Sequence, residues 1–345
     1  MNIVGFDDGY FNNKIYLGNG EFSIFPTRAK VGNAGTYGMS GKVLDIGTYK
    51  TKSPLKNLGD VTVSVGEDLQ DYDSTDFPEY PLSPINRVMV QHVLAKLKKN
   101  NGVNLVTGLP VEVYYSGRNF SVNEEFIEKK QKNLAVPVFT SDDDTTPLVT
   151  IESQIVLPEA FAGHYDFVFE ETPEGILVNE ERAETSNVYV DFGGRTTDIA
   201  LIDNNSIIRE QSGRKVSGSL SVGMINYRDK VVESVGETFD IDHADLPIKS
   251  INEILTGVFS FRGQKHDIQE LLKTAKTDVA TVIVNDIHKR LKDAVGIDNM
   301  IFIGGGAEFF KDEILSIYPQ AYFPENAILA NARGMYKYMN YSLTD

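Results

Sequence analysis

One pattern occurs twice in this chain and constrains its fold more than any other feature. A short apolar strand ends in Asp, Gly follows two positions later, and a second strand returns. Asn2 to Asp7 reads as the first such strand, Asp8-Gly9 as its turn and Asn12 to Leu17 as the return. In the second half, Asn187 to Val190 leads into Asp191-Phe192-Gly193-Gly194-Arg195-Thr196-Thr197, and Asp198 to Ile202 returns. Placing Asp7 over Asp191 also places Gly9 on Gly193 and Ile15 on Ile199. The third strands then align as Leu105-Val106-Thr107-Gly108 over Ile301-Phe302-Ile303-Gly304. Two such matches in the same order indicate an internal duplication, and hence two related α/β domains.

The size agrees, because 345 residues exceed one typical core and suit two domains. Hydrophobic residues at 41% and charged residues at 24% are ordinary for a soluble globular chain. The net charge of -16 repels a phosphate backbone and argues against direct binding of nucleic acid. With no cysteine there is no disulfide, thiolate metal site or cysteine nucleophile, which fits a reducing cytoplasm. The opening MNIVGFDDG lacks the basic and apolar regions of a signal peptide. No apolar run approaches the roughly 18 residues of a membrane span, so a soluble, cytoplasmic protein is expected.

Between the hairpins, about 25–80 is rich in Gly, Pro, Asp and Thr but keeps aromatic and β-branched residues, as in Val61 to Val65. It reads as a small subdomain inserted in the first domain. Ser83-Pro84 starts a helix whose apolar face is Val88, Val90, Val93, Leu94 and Leu97. Asn104 to Thr107 is a strand running into Gly108-Leu109-Pro110. Ser121 with Glu124 forms a capping box for a basic, exposed helix reaching about Lys132. Lys129-Lys130 and Lys96 to Lys99 read as exposed helix ends. Ile155 to Leu157 enters Pro158-Glu159, followed by a helix from Ala160 to Tyr165. A long helix around Ile268 to Val295 leads into Met300 to Ile303, and a last helix spans about Ala327 to Tyr338. The expected domains are 1–165, with the closing helix 326–345 packed back onto it, and 166–325, with an outer part at about 205–265.

An Asp at the end of a buried strand beside a tight Gly turn has a definite chemistry. Backbone amides of the turn can converge on an anion, and Gly lets phosphate approach the main chain. The Asp itself repels phosphate, so its task is to hold hydrated Mg²⁺, which takes one or two carboxylates with water elsewhere. Either hairpin alone is equally an ordinary β-turn. Together, Asp7 and Asp191 suit a nucleotide held between the two domains. Gly304-Gly305-Gly306 follows a strand and precedes a helix, a setting for an α-phosphate or a base against bare backbone. No dinucleotide fingerprint is completed, since Phe309 occupies the last Gly position, and Gly41-Lys42-Val43 fails as a Walker A loop. The histidines His92, His164, His243, His266 and His288 have no metal-ligand spacing. Asp142 to Asp144 lacks the spacing of a calcium loop.

The strings VGFDDGYFNNKI, VYVDFGGRTTDIALI and MIFIGGGAEFF resemble the two phosphate motifs and the adenosine motif of the actin, hexokinase and heat-shock ATPase superfamily. Within it the chain is most similar to the ParM/StbA plasmid-segregation actins. The doubled Asp7-Asp8 before Gly9, Leu109-Pro110, Pro158-Glu159, Gly304 to Glu308 and Gly334-Met335-Tyr336 fit that family's pattern in order. The resemblance is weakest over about 25–80 and 205–265. It implies an actin-like (ribonuclease H-like) duplicated two-domain fold with the nucleotide cleft between the domains.

It also implies roles. Asp7 and Asp191 position Mg²⁺ through water. Asp8, Gly9, Tyr10, Phe11, Asn12, Gly193, Gly194, Arg195 and Thr196 belong to the phosphate hairpins, with Lys14 reaching the β-phosphate. Gly304, Gly305, Gly306 and Glu308 serve the nucleoside, and Glu159 orients or deprotonates the attacking water. Glu159 also suits the start of a helix on electrostatic grounds alone. Phe11 stands where this family often has a smaller residue, so contact there falls to the backbone. Ser217 to Gly223 is either part of the ribose and base wall or a plain helix start. The implied cofactors are Mg²⁺ and ATP, with GTP as the alternative.

The same architecture serves kinases, chaperones and filaments. A filament of head-to-tail copies, destabilised by hydrolysis and linked to DNA by a separate adaptor, agrees with the acidic charge. A small-molecule kinase would need a base beside an acceptor pocket, and no candidate is stronger than Glu159. A chaperone would need a further substrate domain after the last helix. Membrane-tethered relatives carry an amphipathic terminal helix, which neither end here supplies.

Overall fold

Ile3–Asp8 is buried along its whole length because it lies in the middle of a five-stranded sheet. The order is Ile151–Pro158, Val103–Leu109, Ile3–Asp8, Asn12–Gly18 and Glu21–Pro26. This computed structural model describes residues 2–35, 44–54, 59–116, 120–292 and 295–344. The pair Gly41-Lys42 lies outside the described residues. The chain divides into two units, Met1–Glu184 with Ile328–Asp345, and Thr185–Ala327.

In the first unit the first three strands of that order are parallel and the other two continue as an antiparallel meander. Strand pleating sends successive side chains to opposite faces. Val4 and Phe6 therefore join Val88, Leu94 and Leu105, while Ile3 joins Val106, Leu157, Met335 and Met339. Helix Pro84–Lys96 covers the first face, and its start is capped as expected: the Asn86 amide donates to Ser83 Oγ at 3.1 Å. Helix Ala330–Thr344 packs on the second face together with Phe161–Val168. A separate sheet of Val138–Thr140, Gly47–Lys52, Asp60–Val65 and Ala29–Val31 draws mostly on 25–80.

Residues 166–184 go with this first unit, not with the second as the sequence suggested. Asp166 is the reason. Arg333 donates to both its carboxylate oxygens at 2.6 Å, and Lys337 donates to Asp166 Oδ1 and to the Phe169 carbonyl at 2.8 Å. Helix Glu124–Leu134 also departs from expectation. Its cap is Asn123, which accepts from the Phe126 amide at 3.2 Å, and Ser121 lies in the short strand Ser121–Val122.

The second unit repeats the scheme with a sheet ordered Ser206–Ile208, Thr197–Asp203, Asn187–Phe192, Asn299–Ile303; Gly218–Leu220 also pairs with Thr197–Asp203. Val188, Val190, Phe192, Met300 and Phe302 pack against Val231 and Val235 of helix Met224–Phe239 and Val279, Ile283 and Ile287 of helix Gln269–Leu291.

Registers test the duplication directly. Phe6 lies opposite Ile15 and Val190 opposite Ile199, so the hairpins correspond as read from sequence. The third strands are out by one. Val4 pairs with Leu105 and Val188 with Met300, which sets Gly108 against Ile303 rather than Gly304. Buried parallel strands carry apolar residues on both faces, so no alternation in the sequence fixes their register.

Candidate functional site

In the first unit three parallel strands deliver their C-terminal ends side by side: Asp7-Asp8, Gly108-Leu109 and Pro158-Glu159. Ligands of open α/β sheets gather at such ends. Asp7 and Asp8 are 5% and 8% exposed, and pleating sends them to opposite faces. Asp7 pairs with Lys14, opposite it in the hairpin, at 3.0 Å. Asp8 accepts from Lys130 Nζ at 2.8 Å and from Asn86 Nδ2 at 2.8 Å.

The turn Gly9 to Phe11 has three carbonyls drawn back into the unit. Thr27 Oγ1 donates to Gly9 O at 2.9 Å, Thr75 Oγ1 to Tyr10 O at 2.7 Å, and the Thr27 amide to Phe11 O at 2.7 Å. Asn13 Nδ2 in turn holds Thr27 Oγ1 at 3.0 Å. A trans peptide points its N–H opposite its C=O, and no bond described here is cis. The amides of Tyr10, Phe11 and Asn12 are therefore aimed away from Thr27 and Thr75, the arrangement of an anion nest. A Cβ on Gly9 would lie 2.7 Å from the Asn12 carbonyl and 3.0 Å from Lys14 Nζ, so only Gly fits there.

Glu159 packs beside Gly108, its Cγ 3.0 Å from where a Cβ on that glycine would sit. Its amide donates to Leu109 O at 2.8 Å. Ala160 follows with φ of 62°, a left-handed conformation that costs roughly 1–3 kcal/mol for a non-Gly residue. Asn331 Oδ1, on the C-terminal segment, accepts from the Ala160 amide at 3.2 Å and holds this turn.

The second unit turns its hairpin carbonyls back by other means. The first amides of helix Met224–Phe239 do it: Met224 donates to Gly193 O at 3.2 Å and Ile225 to Gly194 O at 2.8 Å. The Gly193 amide closes the turn on Thr196 O at 2.9 Å. The amides of Gly194 and Arg195 thus point away from the helix. Asp191 is 4% exposed at the end of its strand. Gly304, with φ of 86°, presses against it: a Cβ there would lie 2.1 Å from Asp191 Oδ1 and 2.7 Å from Phe192 O. The Gly306 amide donates to that same carbonyl at 3.1 Å. Gly305 and Glu308 are exposed on this turn, and Glu308 pairs with Lys311 at 3.1 Å. Within Ser217 to Gly223, Gly218–Leu220 is a strand and Gly223 precedes the helix against the hairpin.

Sequence reasoning missed several residues here. Asp198 lies opposite Asp191, where the first hairpin has Lys14, and accepts from Thr196 Oγ1 at 2.7 Å and Ser219 Oγ at 2.5 Å. The duplication itself could have pointed to it. Lys130, read as an exposed helix end, is 1% exposed. Thr27, Thr75 and Asn86 carry no local signal. Among the described residues no group of three His, Cys, Asp or Glu side chains could alone hold a metal, and no helix is long and apolar enough to cross a membrane.

The comparisons place the fold. The family described as "Actin like proteins N terminal domain" matches residues 5–161, and "Archaeal actin homologue MreB-like, C-terminal" matches 189–316. Both models are of actin-like proteins, and the chain has the actin-like two-domain α/β fold. The crystal structure of an archaeal actin homologue superposes with a TM-score of 0.73 at 20% identity, covering 98% of this chain and 99% of that one. A 15-stranded ParM filament from Clostridium botulinum gives 0.73 at 20% identity, over 98% and 99%. Bacillus thuringiensis ParM with ATP gives 0.63 at 17%, over 100% of both chains. No curated protein matches the sequence.

Proposed function

We propose that this chain is a nucleotide-dependent, filament-forming ATPase that moves DNA through a separate adaptor, in the manner of the ParM/StbA plasmid-segregation actins. One observation carries the reading: each unit ends a buried strand in an Asp and turns the carbonyls of the following hairpin inward, leaving its amides directed the other way. Mg-ATP is the ligand of these hairpins. The amides of Tyr10 to Asn12 and of Gly194 and Arg195 bind phosphate oxygens, with Thr196 beside them. Lys14 bridges Asp7 and the β-phosphate. Gly304 to Gly306 and Glu308 serve the nucleoside side.

The residues fit hydrated Mg²⁺, because that ion needs only one or two carboxylates, and Asp7 and Asp191 are fixed at strand ends. When bound, Mg²⁺ offsets charge on the phosphates. Glu159, held at the end of its strand by the Leu109 carbonyl, orients the attacking water and accepts its proton. Copies add head to tail into an open filament, and hydrolysis loosens it. ParM structures among the relatives include a filament and an ATP complex, and the net charge of -16 suits contact with DNA through an adaptor.

Light scattering of the purified chain with Mg-ATP, Mg-GTP or Mg-ADP, followed by negative-stain microscopy, tests this. A rise with triphosphate that decays as phosphate is released, with filaments on the grid, is expected. Flat scattering at high protein concentration despite nucleotide binding would instead point to a small-molecule kinase.

A further inference from the structure

Glu159 is placed by an unusual piece of backbone. The Phe161 amide donates to the Glu159 carbonyl at 2.7 Å, closing a three-residue turn. Its central residue, Ala160, has φ of 62° and ψ of -40°, near the angles of the γ-turn with positive φ, which is rare and strained. Ala160 is also a poor start for helix Phe161–Val168, because it supplies no side-chain cap where Ser, Thr, Asp or Asn usually stands. Such outliers persist only where the surroundings over-determine them, and they gather at functional sites.

The C-terminal helix supplies those surroundings. Asn331, buried at 4% exposure, accepts from the Ala160 amide through Oδ1 at 3.2 Å. One turn further on, Met335 reaches the neighbouring strand end: its Cε and Glu159 Oε1 lie 2.7 and 3.2 Å from where a Cβ on Gly108 would sit. Residues four apart share one face of a helix, so a single face of Ala330–Thr344 meets both the Ala160 turn and the strand end beside Glu159. That face is held in place. A Cβ on Gly334 would overlap the Ala162 carbonyl, and Arg333 and Lys337 lock the helix to Asp166. A Ser, Asp or Gly at 160 would start helix Phe161–Val168 without help. The chain instead keeps a strained alanine there, directly after Glu159, and holds it from 171 positions away.

We propose that Asn331 is a positioning residue for hydrolysis: by holding the strained turn at Ala160 it fixes the direction of Glu159 towards the attacking water. This rests on the nucleotide reading above and on the role of Glu159 in it. Without Asn331 the Ala160 amide loses this acceptor, Ala160 relaxes out of its strained conformation and Glu159 turns aside. The phosphate hairpins, held by their own bonds, keep their affinity. Glycine at 160 adopts positive φ freely, so it keeps the turn without Asn331.

The test measures kcat for phosphate release at saturating Mg-ATP, and the Mg-ATP dissociation constant by calorimetry. The proteins are the wild type, Asn331→Ala, Ala160→Gly, Ala160→Gly/Asn331→Ala and Glu159→Ala. The expected result is that kcat of Asn331→Ala falls at least tenfold while its Kd stays within threefold of the wild type. In the double variant kcat returns to within threefold of Ala160→Gly. A smaller fall, a matching loss of affinity, or no recovery in the double variant overturns the inference. If Asn331→Ala does not fold, the double variant decides: folding with kcat within threefold of Ala160→Gly supports the inference, and any other result overturns it. A slow Glu159→Ala beside a normal Asn331→Ala overturns the inference alone, whereas Glu159→Ala at the wild-type rate removes the role of Glu159 and the inference with it. A wild type that binds no Mg-ATP removes the nucleotide reading as a whole, and the inference falls with it.

Discussion

Gly304→Ala separates two costs that the structure puts at one position. Its φ of 86° lies where an L side chain loses roughly 1–2 kcal/mol. In addition, the new Cβ would lie 2.1 Å from Asp191 Oδ1, 2.7 Å from Phe192 O and 2.9 Å from Phe192 N. Two of those three atoms are backbone, so relief requires moving a strand end, and overpacking of that kind costs about 1–3 kcal/mol. Gly263→Ala is the matched control. It has φ of 80° with nothing within 4 Å of its Cβ position, so it bears the conformational cost alone. Urea unfolding should show Gly263→Ala losing about 1–2 kcal/mol and Gly304→Ala roughly 2–5 kcal/mol, at unchanged m-value. The same crowding displaces the Asp191 carboxylate, so Gly304→Ala should also weaken Mg-ATP binding where Gly263→Ala does not. If the two variants differ in stability by less than about 0.5 kcal/mol, the close approach of Gly304 to Asp191 is wrong.

Two further perturbations probe the catalytic and the structural accounts. Glu159→Ala should slow phosphate release by roughly 100-fold or more while sparing nucleotide-driven assembly; normal release would remove Glu159 from the mechanism. His92 is buried against Tyr49, 2.7 Å from its hydroxyl, and burial, aided by the Lys96 charge, pushes its pKa down to about 4. The folded state thus keeps His92 neutral while the unfolded chain gains a proton below its ordinary value of 6.5. Stability from this site is complete above that value and is lost as pH falls towards 4, by at most about 3 kcal/mol. His92→Gln should flatten that part of the pH dependence of the urea midpoint; an unchanged slope would refute it.

The parts of the site legible in the sequence are those written locally. Each hairpin needs an apolar strand, an Asp and a Gly within a few residues, and both turns are where that pattern put them. The cap at Ser83 is equally local. What the sequence concealed depends on distant partners. Lys130 looks like one lysine of a solvated helix until Asp8, 122 positions earlier, claims it. The domain boundary moved because Asp166 is fixed by Arg333, 167 positions later. The one-residue slip of the third strands arose from anchoring on Gly108 and Gly304, since the apolar residues on either side fit both alignments. The Ser121 box yielded to Asn123, a stronger cap directly before Glu124 and Glu125.

The central proposal is that the Asp7 and Asp191 hairpins serve Mg-ATP. Calorimetric titration of the chain with ATP, with and without Mg²⁺, measures it most directly, repeated on Asp7→Ala and Asp191→Ala. The account predicts Mg²⁺-dependent binding that is weakened at least tenfold by either substitution. No binding, or binding that either substitution leaves unchanged, would contradict it.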